Sequence, residues 1–437
     1  MIGGWFLGRS VRGCEERIVE MKIEESLRSF GPAIIVAAVV LGPGSILASS
    51  KVGAEWGWLG LPVLAFAILL LIGMVALSAR LGVVYKGSLC DELALRLGRR
   101  VAAAVAIVLF LIVALYQSSN NLALGAGLEP LFESENGDLP EGWVTIQIVI
   151  LIVANGLVIV SLYLMRSLYS AVEKAMKILV LFMIVAFLLN LLAAMFGDAP
   201  ERNAPVAKER DWIPLIALVG TTFSVGGAFF QAYLVKEKGW GLRDIRKGTI
   251  DSVVGISVLG FVSAVIMVTS LLVFYRVAGA PKLTGMGDIA RQLTPLFGSG
   301  AKYVFCGGFM AGALSSFMVN AAIGGTVLSD GLDKGSKMAG RWARHFTALA
   351  LVIGMVIGIV GLLANESRVT LMLVAQALTV LGIPALGLAL LYLATRKELT
   401  GKRRIPTILK VTAVVGILLA VAMAIRSGIS VWGKIMG

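Results

Sequence analysis

Between Pro32 and Gly57 the chain is apolar almost without relief, and in the middle of that run it reads Leu41-Gly42-Pro43-Gly44-Ser45. This interruption constrains the fold more than any other feature. Proline removes one backbone donor and clashes with the preceding turn, and the flanking glycines tolerate almost any backbone angle. A regular helix cannot pass through. The N–H and C=O groups it frees are costly in hydrocarbon, so such a break survives only where it faces protein or a water-filled cavity. A second interruption is expected at Gly220-Thr221-Thr222-Phe223-Ser224-Val225-Gly226-Gly227. Two interrupted spans at matching positions in two halves of a chain point to a transporter's substrate site.

The hydrocarbon setting follows from composition. The 437 residues are 58% hydrophobic and 15% charged, too little polar surface for a soluble chain of this size. A membrane helix needs about 20 apolar residues. By that rule eleven spans are expected, near 31–57, 58–84, 100–128, 143–165, 170–197, 212–236, 250–279, 299–330, 342–364, 368–395 and 406–428. The expected fold class is an all-α polytopic membrane protein.

The net charge of +13 sits in short loops. Basic residues crowd the N-terminal segment and the 2–3, 6–7, 8–9 and 10–11 loops, as with Arg96, Arg99, Arg243, Arg344 and Arg403. The 3–4 loop is acidic instead, with Glu129, Glu133, Glu135, Asp138 and Glu141. By the positive-inside rule the N-terminus is cytoplasmic and the C-terminus extracytoplasmic, in a multi-pass cell-membrane protein. Residues 1–30 then form a cytoplasmic segment in which Met21 is an alternative start and no signal peptide is present. Residues 31–197 and 198–395 form two five-helix repeats of inverted orientation, opened by broken spans 1 and 6. Residues 396–437 supply helix 11 and the C-terminus.

Several functions fall away. No basic face carries interleaved aromatics, which argues against nucleic acid as a partner. The partners expected are a small solute or ion and the lipid bilayer; oligomeric state leaves no sequence signal. Cys14, Cys90 and Cys306 have no metal-ligand spacing, and His345 is the sole histidine. No phosphate-binding loop supports ATP-driven pumping, and no nucleophile–base set supports an enzyme. No cofactor is expected.

Polar residues inside the spans carry the functional reading. Near the first break they are Ser45, Ser49, Ser50 and Lys51; near the second, Thr221, Thr222 and Ser224. Gln376 lies in span 10, and Gln117, Ser118, Ser119, Asn120 and Asn121 cluster in span 3. Any one Ser or Thr is more often bonded back to its own helix. Ser45, Thr221 and Ser224 stand apart because each adjoins a break whose backbone needs partners. Lys51 has two readings: an i,i+4 pair with Glu55 or snorkelling to the interface, and a fixed positive charge near the site. Glu173, Asp251 and Asp288 read as partners of loop cations. Trp56, Trp58, Trp143 and Trp212 read as an interface belt.

The segments Gly31-Pro32-Ala33, Gly42-Pro43-Gly44-Ser45 and Gly53-Ala54-Glu55-Trp56-Gly57 resemble the first helix of the Nramp divalent-metal transporters. Gly287-Asp288-Ile289, Leu296-Phe297-Gly298-Ser299 and Ala313-Leu314-Ser315-Ser316 are similar to that family's seventh-to-eighth helix region, and Gln376 with Gly382-Ile383-Pro384 to its tenth helix. The resemblance covers most of residues 30–395. It implies a LeuT-type fold and substrate contacts at Gly42, Ser45, Thr221, Ser224 and Gln376.

The chain departs from the family where the metal is bound. The family's first break reads Asp-Pro-Gly-Asn; here the Asp and Asn positions are Gly42 and Ser45. Its sixth-helix Met-Pro-His becomes Ser224, Val225 and Gly226, and the Ala that offers a carbonyl becomes Thr221. Acidic residues linked to proton flow in span 3 align with Ser119 and Leu122. Soft thioether selects transition metals and carboxylate offsets the cost of dehydrating a divalent ion. Without either, the expectation is a secondary or facilitative transporter of a hydrated, Mg²⁺-like cation. It is not expected to be proton-coupled or selective for transition metals. Lys51, Ser119 and Gly226 are candidates for a charge or gating role. The alternatives are transport of a small anion or zwitterion and, less favoured because no signalling domain follows span 11, a non-transporting sensor.

Overall fold

Helices are the only regular elements among the described residues, and most are long, apolar and stacked side against side. The computed structural model describes residues 32–134, 139–164, 181, 184–196, 211–277, 283, 285–364 and 367–436.

The first span is two half-helices, α1 (Pro32–Val40) and α2 (Pro43–Trp56), followed by α3 (Gly60–Val84), α4 (Arg99–Ala126) and α5 (Trp143–Leu164). The sixth is again two halves, α6 (Ile213–Thr222) and α7 (Val225–Glu237). Then come α8 (Ile245–Phe274), α9 (Ala301–Gly331), α10 (Arg341–Leu363), α11 (Arg368–Thr379), α12 (Ile383–Ala394) and α13 (Thr407–Met436). Proline sits in the first turn of α2, α6 and α12, where its missing N–H has no helical acceptor to lose. Nine helices among the described residues are long and apolar enough to cross a membrane. Eleven were expected. The first two expected spans join through a tight turn into one continuous stretch, Pro43–Val84, and the fifth is represented by the shorter apolar helix Ile184–Phe196. Glu173 lies outside the described residues.

Packing divides the helices into two bodies. The half-helices α1, α2, α6 and α7 pack with α3 and α8 as a bundle, while α4, α5, α9 and α10 pack with one another as a scaffold. The α11 helix lies between them, against α4 on one side and α6 on the other. Scaffold helices approach closely through small residues: a β-carbon on Gly354 of α10 would run into the backbone of Gln117 on α4.

At the face carrying the basic loops, polar contacts tie the bodies together. Asp330 at the end of α9 accepts hydrogen bonds from Tyr233 of α7 (2.6 Å) and Ser88 (2.9 Å). Lys236 of α7 donates to the carbonyl of Tyr85 at 2.7 Å. Arg96 pairs with Glu92 and with Glu398, clasping the short helix Leu89–Leu97 to the segment after α12.

Asp251 and the tryptophans depart from their expected roles. Asp251 is held, among the described residues, by the backbone N–H of Ala33 (2.9 Å) and by Gln231 (3.4 Å) rather than by a loop cation. It therefore caps the start of α1, where a negative charge offsets the positive helix end. Asp288 caps its own short helix through the N–H of Gly285. Of the tryptophans, Trp58 is exposed, but Trp56 and Trp143 are buried. Trp56 donates to the carbonyl of Asp211 and stacks edge-on with Trp212, so it joins α2 to the start of α6 instead of facing lipid.

Candidate functional site

The two breaks meet. At the first, Leu41 and Gly42 leave the helix, and Gly42 is extended, with φ −100° and ψ −177°. Any residue can adopt those angles, so the glycine is there for space: a β-carbon would fall on the Ser316 hydroxyl of α9. Gly44 is constrained the same way, since a β-carbon would fall on the Gln376 side chain of α11. At the second break Phe223 (φ −83°, ψ 56°) and Ser224 (φ −73°, ψ 83°) are non-helical. No proline breaks this helix. Phe223 is fully buried and lies against Gly416 of α13, where a β-carbon would strike its ring.

Several carbonyls at the breaks have protein donors. Ser45 donates to Val40 (2.8 Å) and Gly42 (3.0 Å), bridging its own break. Ser316 donates to Val39 at 2.7 Å, and Tyr116 of α4 donates to Gly220 at 2.7 Å. Thr221 bonds back to Leu218 at 3.1 Å.

Between the breaks lies a narrow polar cavity of about 10 Å³, room for one water-sized sphere. Gly42, Gly44 and Ser45 line it from the first break, Thr221 and Ser224 from the second, and Gln376 from α11. The scaffold adds Tyr116 and Asn120 from α4 and Ser316 and Asn320 from α9. None of these side chains is charged at neutral pH. Among the described residues, no cluster of three His, Cys, Asp or Glu is arranged to hold a metal.

The lining presents lone pairs more than protons. A hydroxyl has one donor hydrogen and two acceptor pairs. The hydrogens of Ser45, Ser316, Tyr116 and Thr221 are engaged with carbonyls, which leaves oxygen lone pairs for an occupant. Gln376 donates its amide to Ser119 at 2.9 Å, while its buried Oε1 has no partner among the described residues. Asn120 donates to Gln117, which in turn donates to the carbonyl of Phe317, binding α4 to α9 behind the cavity.

All five residues expected to contact substrate therefore border one cavity. The three candidates for charge or gating do not line it. Lys51 pairs with Glu55 at 3.2 Å along α2. Ser119 stands behind Gln376 and orients its amide. A β-carbon on Gly226 would meet open space, so packing does not require glycine there. Sequence reasoning missed Tyr116 and Asn320, and gave Asn120 and Ser316 no place in the site. The available signal was spacing: Tyr116 with Asn120, and Ser316 with Asn320, are polar pairs one helical turn apart in otherwise apolar spans.

Comparison with known proteins agrees with this architecture. The family model described as natural resistance-associated macrophage protein-like (Nramp) matches residues 33–430. A divalent metal cation transporter, MntH, of Acidiphilium cryptum (strain JF-5) is 23% identical over 92% of this chain and 90% of its own length. The MntH of Verminephrobacter eiseniae (strain EF01-2) is 22% identical over 85% and 82%. Among solved structures, the manganese transporter of Eremococcus coleocola in complex with an aromatic bis-isothiourea substituted compound superposes with a TM-score of 0.71. That likeness covers 91% of this chain and 85% of the other at 16% identity, a match of fold.

Proposed function

Starting from the premise that this chain belongs to the Nramp family, we propose that it carries a hydrated divalent cation of the Mg²⁺ type across the membrane without moving protons. Members of this family are multi-pass membrane transporters and not enzymes. The bundle rocks against the scaffold about the cavity, which opens to one side at a time. The N-terminus is cytoplasmic and the C-terminus extracytoplasmic in this reading, and the inverted repeats divide near residue 197.

One observation carries the choice of a cation: four of the five hydroxyls lining the cavity, those of Ser45, Tyr116, Thr221 and Ser316, already donate to carbonyls, and the buried Gln376 Oε1 adds a further acceptor. Such a surface attracts positive charge and offers an anion little. The lack of a carboxylate decides which cation. Neutral oxygens do not offset the dehydration of a double charge, whereas magnesium keeps several of its waters and needs only partial protein coordination. An ion with its water shell is larger than the present cavity, so loading requires the bodies to part. Proton coupling has no support because none of the lining residues is a carboxylic acid or histidine.

The rival is a small carboxylate or zwitterion. It draws on the uncapped N-termini of α2 and α7, whose side-chain caps are missing and whose helix ends carry partial positive charge. Proteoliposomes loaded with a magnesium indicator decide between them. Saturable Mg²⁺ entry that excess amino acids and small anions leave unchanged supports the proposal. No Mg²⁺ entry, together with thermal stabilisation by an amino acid or carboxylate, overturns it.

A further inference from the structure

We propose that Tyr116 and Ser316 are a pair of latches that hold the bundle to the scaffold at the two breaks and release it when a cation enters. The release step rests on the cation reading above; the latch itself rests on geometry. Tyr116 belongs to α4 and Ser316 to α9, both in the scaffold. Each hydroxyl reaches across to a backbone carbonyl of a broken bundle helix. Tyr116 takes Gly220, two residues before the end of α6, and Ser316 takes Val39, one residue before the end of α1. Both bonds are 2.7 Å long.

These contacts differ in kind from the other hydroxyl bonds at the site. Ser45 and Thr221 bond within their own broken helices and travel with them. The bonds of Tyr116 and Ser316 must stretch or break whenever the two bodies move apart. Neighbouring residues are shaped to permit them. Gly42 leaves the space that the Ser316 hydroxyl occupies, and Gly220 packs so tightly on α11 that a β-carbon would lie 2.8 Å from the carbonyl of Gln376. The two breaks are thus fastened to the scaffold in parallel.

An entering cation competes for what the hydroxyls hold. A carbonyl oxygen has two lone pairs, and an O–H hydrogen and a metal cation are both positive partners for them. A cation that draws on Val39 or Gly220 weakens the latch on that carbonyl. Occupancy of the cavity then loosens the bundle, while an unoccupied carrier stays fastened. A transporter with no carboxyl or imidazole group at its site gains in this way a tie between loading and movement.

The test uses the full chain in liposomes with Tyr116→Phe, Ser316→Ala and the double variant, each change removing only an oxygen. Ser118→Ala, which removes a hydroxyl bonded within α4, is the control. Amide hydrogen exchange is followed without divalent ions, in peptides covering residues 39–46 and 220–228. Each latch variant is expected to exchange about three- to tenfold faster at its own break, the effect of losing one hydrogen bond. The double variant should be faster at both, and the control should match the original chain. Unchanged exchange at both breaks, or equal acceleration by the control, overturns the latch. If the original chain takes up no Mg²⁺ while exchange still rises in the variants, the cation reading falls and the latch stands.

Discussion

The two breaks create the same opening by different means. The first is written into the local sequence: Gly42 and Gly44 flank Pro43, and Ser45 bridges the freed carbonyls from within the same segment. The second has neither a proline nor a bridging side chain of its own. There, Phe223 is anchored against α13, and the Gly220 carbonyl is satisfied by Tyr116 from another helix. One break is made by backbone chemistry, the other by tertiary contacts. A segment broken by its neighbours can change shape when they move. Within the bundle, the second break is therefore the better candidate to change shape, and the first to keep its own.

Substitutions at the breaks test this contrast. The largest effect is expected at Phe223→Ala, where losing a fully buried aromatic costs about 3–5 kcal/mol and removes the anchor that holds α6 and α7 apart. Thermal unfolding should fall accordingly, and uptake should be lost. At the first break, Gly42→Asp forces a side chain onto Ser316, an overpacking cost of about 1–3 kcal/mol. Adding Ser316→Gly should recover much of that stability by returning the space. A double variant no more stable than Gly42→Asp alone would mean that the clash lies elsewhere.

Smaller effects should follow at the cavity wall and beyond it. Gln376→Ala removes the buried acceptor at the cavity wall, and Mg²⁺ uptake should drop about fivefold, in line with one lost polar contact of roughly 1 kcal/mol. Lys51→Gln should change uptake less than about twofold, because an i,i+4 pair along a helix is worth about 0.2–0.5 kcal/mol. A tenfold fall for Lys51→Gln would restore the reading of that residue as a charge acting on the site.

The same contrast explains how far the sequence could be read. Apolar run length gave the spans, and Pro43 between two glycines gave the first break outright. The second break was legible as a cluster of small polar residues and glycines, but its cause was not, since Phe223 against Gly416 pairs residues far apart in the chain. Ser45, Thr221, Ser224 and Gln376 were readable because each is a polar group that an apolar span must account for. Tyr116 escaped notice because a tyrosine in a membrane span usually reads as packing, and its hydroxyl gains meaning only from the carbonyl it meets. Lys51 left two readings open, a pair with Glu55 and a charge near the site, and its contact with Glu55 at 3.2 Å matches the first. Gly42 is the subtlest case. The family resemblance sets it where that family has an Asp, but only the structure reveals that the Ser316 hydroxyl fills the space beside it.

The central claim is that a ring of neutral oxygens carries a hydrated cation with no proton in exchange. Its most direct test records Mg²⁺ entry and internal pH together in the same proteoliposomes, repeated with Mn²⁺ and across external pH 6 to 8. The account predicts Mg²⁺ entry at a rate nearly independent of external pH and with no acidification of the lumen. Saturable Mn²⁺ entry accompanied by lumenal acidification would contradict it.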